Sequence, residues 1–547
     1  MRPGPGGTEV NNRILAERCT VHTKGRLVTE AGIRSDVPHT PSPQRRGYTH
    51  REIMQILSGL LAAMLTSMLS TSVVGTALPT IVGELGGQEQ LSWVAAAYLL
   101  TMTVSVPLWG KLSDLFGRKR TFQLALVTFT LASVAAGMSQ SMGMLIAARA
   151  VQGVGGGGIM ALVQVILGDV VEPRERGRYN GYVGAVFGVS TIAGPLLGGL
   201  LVDAEGLGWR WCFYLALPFA IAAFVVVQRK LRLPYVKRDA RIDWWGAFTI
   251  TGAAASLMLV LSLGGHEFAW DSPWSLGLLG VSAVLGVAAV FAERRAADPI
   301  LPPRLFRDRT FVLTSIASHL LGIALFAMMI YLPQYLQIVK GMTPMVSGLM
   351  TLPMVLSHVL ASLVSGRLVS RYGRWKVYPT IGLLLVAAGL ALLAGLDAGA
   401  SEVVIGIGAG VVGAGFGMSM PTLLLAAQNA VERRDMAVAT AGVGFFRSLG
   451  GAVGVAAFGA ILTNRVHDEM TRLLAAAHIK LTGTVDLGTP EAIRGLAPAV
   501  RHVVVHAFAD AMSTVFLVAV PTALLGAVAV ACLRELPLRT GASSPSA

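Results

Sequence analysis

The chain has 547 residues, of which 54% are hydrophobic and only 14% charged. A soluble protein of this length carries about a quarter charged residues, so the composition argues against a soluble globular enzyme. The net charge of +14 would suit nucleic acid if the cations clustered, but they lie in the gaps between apolar blocks and follow topology instead.

Residues 1–48 are polar and rich in Pro, Gly and Arg, without the apolar core of a signal peptide. They read as a disordered cytoplasmic tail. From there the apolar residues come in blocks, and 53–83, 179–202, 244–265 and 403–431 contain no charged side chain. Each exceeds the ~20 residues that a helix needs to cross a bilayer core. Fourteen candidate spans begin near Ile56, Leu91, Thr121, Met144, Tyr179, Trp211, Trp244, Ser275, Phe311, Met345, Val377, Val403, Ala437 and Ala511. Runs this continuous exclude the alternating strands of a barrel, so an all-α, polytopic membrane protein is expected. With a cytoplasmic amino terminus, most of the 44 Lys and Arg residues fall on the cytoplasmic side, which predicts both termini there. Abundant Arg, Ala and Gly point to a bacterial plasma membrane. Cys19, Cys212 and Cys532 stand singly, so neither a disulfide framework nor a metal knuckle is indicated.

The second and third spans are joined by GKLSDLFGRKR, residues 110–120, and residues 366–376 repeat it as GRLVSRYGRWK. Both glycines match, as do cations at the second, ninth and eleventh places. The chain therefore reads as duplicated, and the distance between the copies leaves room for two extra spans. The predicted organisation is a tail (1–48), a six-helix bundle (49–228), a linker with two inserted helices (229–310), a second six-helix bundle (311–535) and a tail (536–547).

In the first copy, Gly110 and Gly117 allow a tight turn and close helix approach, while Asp114 can pair with Arg118, and Lys119 helps hold the loop in the cytoplasm. The fourth span carries Arg149 ~9 Å along the helix, with Gln152 one turn on. An intramembrane arginine is a functional candidate by default, the alternative being a side chain that snorkels to the surface. The run 153–158 follows no strand and lacks a P-loop ending, so it reads as close helix packing. In the fifth span, Gly194-Pro195 bends the helix, and Gly198 with Gly199 offers a flat face to another helix. No Asp or Glu lies within a span; Glu84 and Asp203 sit at outer ends. His319 and His358 are the titratable groups that could carry a proton, each counted ~12 Å from the cytoplasmic end of its span and placed at one level. The other reading is that each bonds a neighbouring helix.

The loop Gly-Lys-Leu-Ser-Asp-x-x-Gly-Arg-Lys-Arg closely resembles a signature of the major facilitator superfamily. Arg149-x-x-Gln152-Gly-x-Gly resembles that family's fourth-helix signature, and Gly194-Pro195-x-x-Gly198-Gly199 its antiporter motif. TALPTIVGEL (from Thr76), WRWCFY (from Trp209), DWWGA (from Asp243) and FFRSLGG (from Phe445) resemble the fourteen-helix drug:proton antiporters, the QacA/EmrB-like group. The resemblance implies a conformational latch at Gly110, Asp114, Gly117, Arg118 and Lys119. It implies proton coupling around Arg149 and Gln152, and an export bias from the antiporter motif. One position departs from the pattern: Ser70 stands where the group usually has a membrane acid. The expected function is export of small amphiphilic compounds by proton antiport and alternating access. It needs no cofactor, metal, nucleic acid or covalent chemistry, and a monomer suffices. A metabolite facilitator of the same fold and a transporter-like sensor are the alternatives.

Overall fold

The computed structural model describes residues 49–538 apart from 87–89, 172–174, 205–206, 232–242, 265–268, 297, 433–434, 477–492 and 494, and apart from some side chains within helices. The described residues form sixteen α-helices. In chain order they are α1 (His50–Leu85), α2 (Leu91–Phe116), α3 (Arg118–Gly137), α4 (Met142–Val170), α5 (Arg176–Asp203), α6 (Trp211–Tyr214), α7 (Ala216–Lys230) and α8 (Trp244–Leu263). There follow α9 (Pro273–Arg295), α10 (Arg309–Ile338), α11 (Pro344–Met350), α12 (Leu352–Tyr372), α13 (Val377–Ala394), α14 (Glu402–Ala430), α15 (Met436–Ala476) and α16 (Pro498–Ala531).

Polar caps start the helices where the sequence supplies them. Thr49 and Glu52 form a reciprocal capping box at α1. Asp308 accepts from the Phe311 amide at 2.8 Å and opens α10, and Ser272 followed by Pro273 opens α9. Gly117 separates α2 from α3 at φ +87°, a positive-φ conformation that a Cβ would strain.

Twelve of the helical stretches are long and apolar enough to cross a membrane, with α6 continuing into α7 and α11 into α12. The chain is thus a multi-pass membrane protein. Neither α3 nor α5 is among the twelve: Arg118, Lys119 and Arg120 occupy the first turn of α3, and part of α5 has side chains outside the description. With α6–α7 and α11–α12 each taken as one stretch, successive stretches run in opposite directions: Glu84 at the end of α1 meets Arg210 just before α6, and Lys119 at the start of α3 meets Gln228 at the end of α7. The end at which residue 49 enters is called the tail side here, and the opposite end the far side.

Two expected boundaries move. The last span was expected from Ala511, but α16 starts at Pro498; α15 also runs on to Ala476. Much of 464–506 is therefore helix that continues past the apolar run.

Helix α1 packs on α5 and α7, and α4 on both α2 and α3. In the later part, α10 packs on α15 and α16, while α12 and α13 pack on α14. Helices α8 and α9 form a pair, from which α8 reaches α2 and α15. The early and late sets meet mainly where α5 lies on α12 and α2 on α15.

Candidate functional site: a tail-side charge lock and a buried polar cluster

The first loop copy is a network. Arg118 donates to Asp114 at 2.6 Å, to Ser113 at 2.7 Å and, through Nε, to Asp169 of α4 at 2.8 Å. Both Asp114 and Arg118 are nearly buried, so the pair is shielded from solvent screening. Lys119 donates to the Gln228 carbonyl of α7 at 2.6 Å. Gly110 lies directly on α15, where a Cβ would come within 2.8 Å of the Ala441 Cβ. The predicted latch residues are therefore brought together.

The sequence did not reveal the reach of this network. Lys111 pairs with Asp298 and donates to the Pro299 carbonyl at 3.1 Å, so α2 is tied to the strap between α9 and α10. Buried Glu293 accepts from the Ile300 and Leu301 amides at 3.2 and 2.9 Å, fixing that strap. Arg304 then grips Asp435 with two hydrogen bonds of 2.9 and 2.6 Å, a bidentate geometry suited to guanidinium and carboxylate. Arg176 of α5 donates to Gln428 of α14 at 2.6 Å, joining the early and late helices directly. In the Arg118 network, Asp169 carries a readable signal, an acid at the end of its span beside a basic loop.

The second cluster lies toward the far side. Arg149 is 1% exposed, which rules out snorkelling. Its guanidinium donates to Gln152 at 2.5 Å and lies 4.1 Å from the centre of the Tyr98 ring. Gln152 in turn donates to Ser70 at 3.0 Å and to Ser133 at 2.6 Å, and Tyr98 shares a 2.9 Å bond with Ser67. Ser70 is thus wired to Arg149 through Gln152, and among the described residues no carboxylate pairs with Arg149. The glycines after Gln152 allow this crowding. A Cβ on Gly153 or Gly157 would strike backbone oxygens of α2, at Tyr98 and Met102. Close packing is what the run provides.

The antiporter motif divides. Gly194 lies against Ser72 of α1, Gly198 is buried, and nothing lies within 4 Å of a Cβ built on Gly199. Among the described residues nothing packs directly on Gly199, and the Pro195 side chain lies outside the described atoms.

The two histidines are not brought together. Helix α12 runs on to Tyr372 rather than stopping at Gly366, so His358 lies about 21 Å from its tail-side end and His319 about 15 Å from the start of α10. His319 Nδ1 lies 3.0 Å from the Phe446 carbonyl of α15. His358 instead packs on Gly184 of α5, and its backbone packs on Gly417 of α14. Of the outer acids, Glu84 is held by Arg210 at 2.5 Å and by Trp209 at 2.6 Å. Those hydrogen bonds, Arg210 first and Trp209 second, lower its pKa, so it stays ionised near neutrality. The Asp203 side chain lies outside the description.

The model of the Major Facilitator Superfamily matches residues 60–455. An uncharacterized MFS-type transporter of Mycobacterium tuberculosis is 38% identical over 88% of this chain and 70% of its own length. The multidrug transporter protein MdtP of Bacillus subtilis is 36% identical over 76% of each chain, in keeping with the drug-exporter motifs. The crystal structure of the human organic anion transporter MFSD10 superposes with a TM-score of 0.58, covering 87% of this chain and 99% of that one at 15% identity. That likeness concerns the fold alone. On the family match and these relatives, the chain belongs to the Major Facilitator Superfamily.

Proposed function

We propose that this protein exports small amphiphilic compounds by alternating access, coupled to inward proton flow. It would have fourteen crossings, both termini in the cytoplasm of a bacterial cell, and would act as a monomer in the plasma membrane. The bundles 49–228 and 311–535 would rock about a central site, with 229–310 as the insert. The observation that carries the reading is the tail-side lock. Lys111 pairs with Asp298 and Arg176 joins Gln428, where α2 and α5 meet the strap and the later helices, and Arg118 bridges Asp114 and Asp169 beside them. These contacts can break and reform as units, which supports a gate that closes one end while the other opens. The kinship with a multidrug transporter supports amphiphilic cargo.

Coupling is assigned to Arg149 and Gln152, with His319 and His358 as proton carriers in the absence of an acid at Ser70. Each histidine would act through its own neighbours, since they do not form a pair. The test is uphill efflux of a fluorescent amphiphile from everted vesicles under an imposed pH gradient. The double variant His319→Gln, His358→Gln should lose uphill transport and keep downhill exchange. Uphill transport at the parental rate would remove the histidines from the mechanism. An absence of any gradient-driven transport in the parent would remove proton antiport itself.

A further inference from the structure

Two polar groups left unused by this mechanism lie on α10 and α15, which pack on each other. Arg447 lies eleven residues into α15, about 16 Å from its tail-side end, and is half-buried. Among the described residues its guanidinium makes no ion pair, hydrogen bond or ring contact. This sets it apart from Arg118, Arg149 and Arg176, each of which is engaged by named partners. On α10, Ser315 is buried and its hydroxyl also has no partner.

These two groups belong to facing surfaces. Ser315, His319 and Gly322 follow one another at i, i+4 and i+7 and so share a face of α10. That face meets α15: His319 Nδ1 is at the Phe446 carbonyl, and Gly322 lies against the Arg447 backbone carbonyl. Both helices run from the tail side, and a helical side chain leans back toward its own amino terminus. Arg447 accordingly leans toward the level of Ser315. Thr440, two turns before Arg447 on the same face, accepts a 3.0 Å hydrogen bond from Gln428 of α14. This face of α15 therefore looks into the protein and not toward lipid.

A guanidinium offers five donors and no acceptor, and a serine hydroxyl adds one more donor. What both lack is an acceptor, and an ionised carboxylate is acceptor only. An unpaired cation this deep in a membrane protein marks a functional site. We propose that Arg447 and Ser315 form the head-group site for an anionic amphiphile, a carboxylate in the first instance. The apolar body of the ligand would lie along Phe446 and the small residues of α10 and α15. The proposal rests on the exporter reading and narrows its cargo from amphiphiles at large to anions. Anion exit from a negative-inside cell also runs with the membrane potential, which suits a chain with no acid at Ser70.

The test uses the full chain in neutral detergent and three matched fluorescent probes: pyrenebutyrate, its methyl ester and pyrenebutylamine. The parent should bind the acid at least ~10-fold more tightly than the ester or amine, the scale of a charge-assisted hydrogen bond. Arg447→Gln should bring acid affinity down to that of the ester, and an unchanged thermal unfolding transition shows that the variant is folded. Arg447→Lys should keep part of the preference, and Ser315→Ala should weaken acid binding by a smaller factor. Equal affinity for acid and ester, an acid:ester ratio unchanged in Arg447→Gln, or displacement of the acid by phosphatidylglycerol at lower concentration would each overturn the proposal. The last would assign the site to lipid. The same probes in everted vesicles separate the two readings. Acid binding without uptake would count against export and leave the site standing, whereas uptake of ester or amine with no acid preference would do the reverse.

Discussion

Loop residues 110–120 and 366–376 begin from one pattern and end in different physical arrangements. In both, the second glycine has a positive φ, Gly117 at +87° and Gly373 at +71°, but ψ is 145° at the first and −4° at the second, so only Gly373 is a left-handed helical cap. The first copy has Asp114 one turn before Arg118 and captures it, then reaches outward through Lys111 to the strap at Asp298. The second has Ser370 in place of the acid, and it is Trp375 that docks. The Trp375 amide donates to Glu535 at 2.9 Å and its indole to the Leu536 carbonyl at 2.9 Å. The first copy thus ties α2, α3 and α4 to one another and, through Lys111, to the strap beyond α9, while the second ties its own half to the end of α16. The repeat keeps a glycine at positive φ in both copies; the turn around it and the charges beside it differ, and with them what each copy holds.

The sharpest way to break the contrast is Asp114→Asn. It leaves Arg118 nearly buried with Asp169 as its one remaining carboxylate, and removing one partner of a buried pair costs roughly 3 kcal/mol. Efflux should fall at least ~10-fold at normal membrane levels, whereas Ser370→Ala should leave it unchanged. An equal loss in both would mean that the copies act alike.

Gly373→Ala should destabilise by about 1–2 kcal/mol, the cost of a left-handed residue with a Cβ, and Gly117→Ala, at φ +87° and ψ 145°, by about 1–3 kcal/mol. Thermal unfolding checks both, with the loss at Gly117 at least as large as that at Gly373. Glu535→Gln weakens the docking of Trp375 and should cost about 1 kcal/mol. It should lower the unfolding temperature while leaving transport per folded molecule intact, because the clasp does not open. Lys111 and Asp298 should show a coupling of about 0.5–1 kcal/mol in a double-mutant cycle, since Asp298 is partly exposed and screened. Exchanging the two charges should recover part of what either single change loses.

The sequence made the hinges legible because glycine and charge are local signals. Gly117 and Arg118 fix a turn and its face within a few residues, and Arg149 betrays itself by lying in an apolar run. Contacts between distant segments had no such signal. Asp298 lies far along the chain from Lys111, and Gln428 far from Arg176, so only folding pairs them. The sequence puts the two histidines at one level because Arg367, the first cation after the apolar run, marks the apparent end of the span, whereas α12 continues to the left-handed Gly373. For the same reason the last helix began earlier than its apolar core. Arg447 was visible within FFRSLGG, but its lack of a partner is a property of the packed helices.

The claim that the tail-side end opens and closes during transport can be tested with one covalent bond. Val106 of α2 lies 4.0 Å from a Cβ built on Gly444 of α15, in the contact between the early and late helices. Cysteines at both positions, in a background lacking Cys19, Cys212 and Cys532, would be joined by oxidation or a short bifunctional reagent. The account predicts that the joined protein stops exporting a fluorescent amphiphile and that reducing an oxidised pair restores the parental rate. Undiminished efflux from fully joined protein would contradict it.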